Sequence, residues 1–357
     1  MKAWEKNIRK VVPYVPGEQP KVDDIVKLNT NENPYPPAKG VSRALLEFDS
    51  NELKLYPDPT IEELKSTLAE YYGVNVNEVF VGVGSDDVLA MAFLTFFNSD
   101  KPILFPDITY SFYPVWADLY KIPYECPKLD ENFMMVKEDY YKENGGIIFP
   151  NPNAPTAICN DLGFIEDIVK NNQESVVIVD EAYVDFGGES AIELTKKYEN
   201  LLVVQTFSKS RSMAGMRIGY AIGSKDLIKA MEDVKYSFNS YTMNMTAIKS
   251  GVEAVKDDEY FKETKKKIVT TRENTAKSLK ALGFDMTDSK ANFLFVTHKK
   301  YAARDIYEYL RTKHIFVRYF NLPRIDNYLR ITIGTDEQME KLIKALEEYC
   351  EKAVSTS

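Results

Sequence analysis

From about residue 60, segments with the 3.6-residue period of a helix alternate with short runs that are apolar through their middle and end in turn residues. This alternation predicts β-α-β units around a mainly parallel sheet. The stretch "TIEELKSTLAEYYG" predicts a helix opened by a capping box of Thr60 and Glu63 and stopped at Gly73. "EVFVGVG" reads as a strand, and "SDDVLAMAFLTFF" as a helix opened by Ser85 and two acids. The runs "KPILFP", "GGIIFPNP", "SVVIVDEAY", "NLLVVQTFSK" and "RIGYAIG" are continuous and apolar, as in strands covered on both faces.

After Gly223 the pattern changes to long charged helical segments as far as about residue 281, rich in Lys and Glu as a solvated helix face is. "ANFLFV", "ARDIYEYLRTK", "IFVRYF", "YLRITIG" and "DEQMEKLIKALEEYC" then predict a second, smaller α+β unit. Near the start, the Pro-rich "VVPYVPGEQP" predicts an extended arm. At 357 residues the chain exceeds what one compact core usually holds. The expected fold class is α/β, with a large domain over residues 40–250 and a smaller one built from residues 1–39 and 251–357.

Composition narrows the function. With 45 basic against 54 acidic residues the formal charge is −9, which lacks the basic footprint of a general nucleic-acid binder. A small anionic ligand would therefore need a local basic pocket. Cys126, Cys159 and Cys350 are far apart and form no C-x-x-C pair, a pattern that suits a reduced cytoplasm and neither a disulfide framework nor a zinc ribbon. The start lacks a secretion-signal core, and no apolar stretch approaches the length of a membrane span. The two histidines, His298 and His314, have no acidic or cysteine neighbours at ligand spacing. That argues against histidine metal sites and histidine-based triads, and leaves lysine, tyrosine or carboxylate to carry any proton transfer.

In open α/β sheets, ligands sit beyond the carboxyl ends of the strands. The residues found there are Gly84, Ser85 and Asp86, then "PNPNAPTA", then Asp180, Glu181 and Tyr183, then "QTFSK" with Lys209, followed by Arg217. Taken singly each has an ordinary explanation: a tight turn, a loop cap, a surface lysine. Taken together they suit one ligand. A helix N-terminus, hydroxyls and Arg217 would hold a phosphate, Asp180 a protonated ring nitrogen, and Lys209 an aldehyde. Pyridoxal phosphate requires that combination.

The same segments carry a resemblance over nearly the whole chain. "PYVPG", "LNTNENPYPP", "LYPDP", "GVGSDD", "TYSFY", "PNPNAPT", "DEAYVDF", "TFSKSRSMAGMRIG" and "LRITIGT" occur in this order. The sequence resembles the fold-type I aminotransferases, and among them the histidinol-phosphate aminotransferase family. The resemblance implies pyridoxal 5'-phosphate, with Lys209 as its Schiff-base lysine, Asp180 at the pyridinium nitrogen, Tyr183 donating to the ring oxygen and Tyr110 stacked on the ring. It implies a phosphate site made by the backbone of Ser85 and Asp86, Thr206 or Ser208, and Arg217. Tyr56 would come from the other subunit of a homodimer, and Arg330, with Arg318 and Tyr14, would grip the anionic end of the substrates, histidinol phosphate and glutamate or 2-oxoglutarate. Two positions depart from the family pattern. Ala154 and Ala157 flank Pro155-Thr156 where Asn and Gly are usual, so Asn153 would supply the ring-side amide. Arg211 replaces an aromatic residue, either as a solvent-facing charge or as part of the pocket's surroundings. Within the fold the competing activities are aromatic-amino-acid transamination and threonine-phosphate decarboxylation. Outside it they are a nicotinamide-dependent dehydrogenase and a non-catalytic binding protein; the first lacks a full glycine fingerprint here, and the second predicts loss of a lysine that is present.

Overall fold

The computed structural model describes residues 2–21 and 24–355. Its strands, numbered along the chain, form three sheets. The largest comprises β2 (Val79–Gly82), β3 (Ile103–Leu104), β4 (Tyr124–Glu125), β5 (Gly146–Pro150), β6 (Val177–Asp180), β7 (Leu201–Thr206) and β8 (Gly219–Gly223), in the spatial order β2-β8-β7-β6-β5-β3-β4. All pairs are parallel except the two made by β8. A second sheet holds β9 (Phe284–Met286), β10 (Phe293–His298), β12 (Arg318–Tyr319) and β13 (Leu329–Thr332), all antiparallel. The third is a short parallel pair of β1 (Val26–Lys27) and β11 (Ile315–Phe316), which ties the N-terminal segment to the C-terminal unit.

Covering both faces of the large sheet explains its unbroken apolar runs. Along β6, Val177 and Val179 join one apolar layer and Ile178 the layer on the opposite face; along β7, Leu201 and Val203 alternate in the same way with Leu202 and Val204. Each such side chain, removed from water, contributes roughly 1.5–3 kcal/mol. The strand ends are thus fixed on a rigid platform. A separate core gathers Val26 and Leu28, the helix Asp258–Ala281, the second sheet and the C-terminal helix, and it also takes in Ala154, Ala157, Tyr183 and Phe186 from the loops of the large sheet. Those loops therefore lie where the two cores meet.

Two local expectations are corrected. The helix after Thr60 spans Glu62–Tyr72, and the capping box does not form. Asp58 does the capping instead, accepting from the Thr60 and Glu62 N–H groups and the Thr60 hydroxyl. A carboxylate two residues upstream serves the orphan N–H groups better than a threonine that has itself become a donor. "IFVRYF" is split into two strands, since Phe316 pairs with β1 while Arg318 pairs with Arg330 of β13.

Candidate active site

Strand register assembles the site. Pro150, Asp180 and Val204 are neighbours across the carboxyl ends of β5, β6 and β7, and Thr206 pairs with Gly219, which pairs with Gly82. The lysine loop, the acid and the glycine turn thereby share one edge of the sheet.

At the β2 end, Gly84 (φ +87°) turns the chain into the helix Ser85–Phe96, whose first N–H groups have no partner within the helix. Arg217 donates to Ser208 Oγ (3.5 Å) and forms an ion pair with Asp86 (3.5 Å), whose other oxygen accepts from the Tyr110 hydroxyl (2.8 Å). The surroundings are tight. A Cβ on Gly84 would lie 2.5 Å from Arg217 Nη2, and one on Gly219 would lie 2.3 Å from the Ser85 nitrogen. Thr206 Oγ1 accepts from the Ser208 N–H and donates to the Ile218 carbonyl, so its hydroxyl is spent on the turn and Ser208 supplies the free one.

Asp180 is 4% exposed, and its carboxylate accepts from Tyr113 Oη (2.9 Å) and the Ala182 N–H (3.3 Å). Burial pushes its pKa up from 3.8 to about 6, against the hydrogen bonds, which pull it down. Lys209, half-buried, donates to the Thr30 carbonyl (3.1 Å) and lies 5.8 Å from the centre of the Tyr183 ring. Burial first, then the nearby positive charge of Arg330, brings its pKa down to about 8. The Tyr183 hydroxyl accepts from Asn31 Nδ2 (3.0 Å), and Asn31 is itself fixed by Thr332 and Asn292. Asn33 bonds the carbonyls of Lys209 and Ser210. The N-terminal segment thus holds the lysine loop from above.

A third group gathers around Arg330. Arg330 donates to the Asn29 carbonyl (2.9 Å), its guanidinium lies 5.4 Å from the Phe293 ring centre, and its buried Nε has no partner. Tyr14 stacks on Phe112 (4.2 Å) and tilts against Tyr110 (6.5 Å); burial raises its hydroxyl's pKa, while the charges of Arg318 and Arg330 pull it down.

Other expected positions differ. Both amide hydrogens of Asn153 are taken by the Ile108 carbonyl and Thr156 Oγ1, and its oxygen accepts from Thr109, so this side chain holds its own loop. Tyr56 is 79% exposed and stacks on Tyr241. Arg211 is not a solvent-facing charge. It is buried against the rings of Phe261 (4.2 Å), Tyr71 and Phe207 and donates to the Ala254 carbonyl at the end of the helix Met245–Lys256, a setting that favours a cation. Sequence reading assigned no role to Asn31, Asn33 or Tyr113, although all three fall inside its motifs.

The residues fit pyridoxal phosphate. The sheet edge carries a glycine-lined helix N-terminus suited to an anion, a buried carboxylate, and the amine of Lys209, bonded to the Thr30 carbonyl. Gly219→Ala is expected to displace the helix N-terminus and weaken pyridoxal phosphate binding by about 10- to 100-fold, read as a dissociation constant by absorbance titration. Unchanged affinity would show that this turn does not form the cradle.

Residues 23–346 match the family described as aminotransferase class I and II, and the chain belongs to it. Histidinol-phosphate aminotransferase 1 of Hydrogenovibrio crunogenus is 55% identical over 96% of this chain and 96% of its own length. Histidinol-phosphate aminotransferase of Lactococcus lactis subsp. cremoris is 50% identical over 97% of this chain and 98% of its own. The fold matches that of histidinol-phosphate aminotransferase from Sinorhizobium meliloti, solved in complex with pyridoxal-5'-phosphate, with a TM-score of 0.84 at 22% identity, covering 92% of this chain and 91% of that one. Among the described residues no helix is long and apolar enough to cross a membrane.

Proposed function

We propose that this chain transfers the amino group of L-histidinol phosphate to 2-oxoglutarate, using pyridoxal phosphate held at Lys209. The observation that carries the reading is the half-buried Lys209 amine, brought to a pKa of about 8 by burial and by the charge of Arg330, on the loop that follows β7 beside the strand end carrying buried Asp180. When bound, the cofactor supplies an electron sink for the negative charge left at the substrate Cα.

The chain's own residues do the rest. The Lys209 amine would take the proton from the substrate Cα, hold it at Nζ and give it up to the bound cofactor, which an amine with a pKa of about 8 does far better near neutral pH than one at 10.5. When the cofactor is bound, Asp180 would keep a proton on the ring nitrogen, Tyr183 would donate to the ring oxygen, and Tyr110 would lie against the ring. Ser208, Arg217 and the N–H groups of Ser85 and Asp86 receive the phosphate, with Thr206 shaping their turn; Asn153 keeps the loop beside the ring in place. Arg330, helped by Arg318 and Tyr14, binds the phosphate of one substrate and the carboxylate of the other, since a guanidinium fork accepts both. The exposed Tyr56 serves the phosphate of the partner subunit in a homodimer, and residues 40–250 form the cofactor-binding domain against a smaller domain of residues 1–39 and 251–357.

Arg330→Leu is expected to lower kcat/KM for both substrates together by about 10²- to 10³-fold. Loss of one substrate alone would contradict the shared site. The activity itself is tested by turnover of histidinol phosphate with 2-oxoglutarate. Conversion only of phenylalanine, or only of threonine phosphate, would overturn the substrate assignment.

A further inference from the structure

Tyr113 stands at the second position of the helix Phe112–Tyr120, with no part of its side chain open to solvent. Its ring packs edge-on against Tyr110 (5.7 Å) and Phe105 (5.8 Å), with Phe93 and Trp116 (each 6.3 Å) completing the surround. Phenylalanine would fill this space equally well, so packing does not call for the hydroxyl. A buried hydroxyl costs free energy unless it is bonded, and the bond this one makes is to Asp180 Oδ2 at 2.9 Å.

Among the described residues no cation bonds Asp180, whose carboxylate accepts from Tyr113 and the Ala182 N–H. Its strand neighbours are Pro150 and Val204. The titratable groups that face it are Asp86, whose charge opposes ionisation, and the tyrosines 113 and 183. Burial drives its pKa up to about 6, and the Tyr113 hydrogen bond is the largest effect in the other direction. A carboxyl group that stayed protonated could not hold a proton on a ring nitrogen opposite.

We propose that Tyr113 is a positioning residue for the reaction, whose hydroxyl fixes the Asp180 carboxylate through Oδ2 and keeps it ionised for the cofactor's ring nitrogen. Two tyrosines three positions apart, Tyr110 just before the helix and Tyr113 in its first turn, then serve the two acids of the site, Asp86 and Asp180. The cofactor half of the inference rests on the function proposed above. The hold on Asp180 does not, and it can be read without cofactor.

The test uses the full chain of wild type, Tyr113→Phe and Asp180→Asn, each with and without pyridoxal phosphate. In the cofactor-free proteins the Asp180 carboxyl is followed by carbon-13 NMR of labelled aspartate, its signal identified by its loss in Asp180→Asn. The titration midpoint is expected to rise by about one pH unit in Tyr113→Phe. With cofactor, Tyr113→Phe is expected to lower kcat about tenfold at neutral pH with KM unchanged, and to lower it no further when combined with Asp180→Asn. An unmoved midpoint overturns the proposal, as does a loss of kcat that persists in the Asp180→Asn background. A wild type that binds no pyridoxal phosphate overturns the functional reading and the cofactor half of this inference, while a raised midpoint still upholds the contact.

Discussion

Lys209→Ala is expected to lower turnover of histidinol phosphate with 2-oxoglutarate by about 10⁴-fold or more, because it removes both the covalent anchor and the base. The structure offers no substitute at this point. The other cations placed around the site are the guanidinium groups of Arg217, Arg318 and Arg330, none of which is an amine able to anchor an aldehyde. Wild-type activity is expected to rise as pH passes upward through about 8, since the unprotonated Lys209 amine is the active form. A small added amine is expected to restore part of the Lys209→Ala rate, with an acid limb that follows the pKa of the added amine. Rescue absent at every pH, in a protein that still binds pyridoxal phosphate and substrate, would argue that the lysine serves folding alone.

Asp180→Asn is expected to reduce kcat by about 10³-fold while weakening pyridoxal phosphate binding much less, because the amide keeps the shape and loses the charge. Stability should move the other way. In the folded chain Asp180 holds its proton up to about pH 6, against 3.8 as the ordinary value, so folding favours the protonated form. That advantage is complete below 3.8 and is lost as pH rises through about 6, where the buried group must ionise. The cofactor-free Asp180→Asn protein, which never ionises there, is expected to be more stable than wild type at pH 8 by about 3 kcal/mol, and equal to it near pH 3.5. Denaturant unfolding at the two pH values measures the difference. A variant less stable than wild type at pH 8 would contradict the account of a buried, functionally retained acid.

Much of this was legible in the chain. Continuous apolar runs announced strands buried on both faces, and the residues just past "VVIV" and "LLVV" proved to be Asp180 and the Lys209 loop, because a parallel sheet gathers its carboxyl ends at one edge. What stayed hidden were contacts between distant residues. Asn31 meets Tyr183 and Tyr113 meets Asp180 only once the fold is closed, and nothing in the local spacing of either announces it. For Arg211 the chain left a solvent-facing charge and a place in the pocket's surroundings both open; the rings of Tyr71, Phe207 and Phe261 and the Ala254 carbonyl, from distant segments, bury it. Asn153 illustrates the converse. Its spacing suited a ligand, yet its amide is taken up by neighbours in its own loop and by Thr109 and Ile108. Likewise Thr60 lost the helix cap to Asp58, two residues upstream, which competes for the same N–H groups.

The most direct measurement is borohydride reduction of the full chain reconstituted with pyridoxal phosphate, followed by peptide mass spectrometry. A yellow protein that bleaches on reduction and carries one pyridoxyl phosphate on the peptide containing Lys209 is the predicted result. A chain that stays colourless on reconstitution, or one labelled at a lysine other than Lys209, would contradict the account.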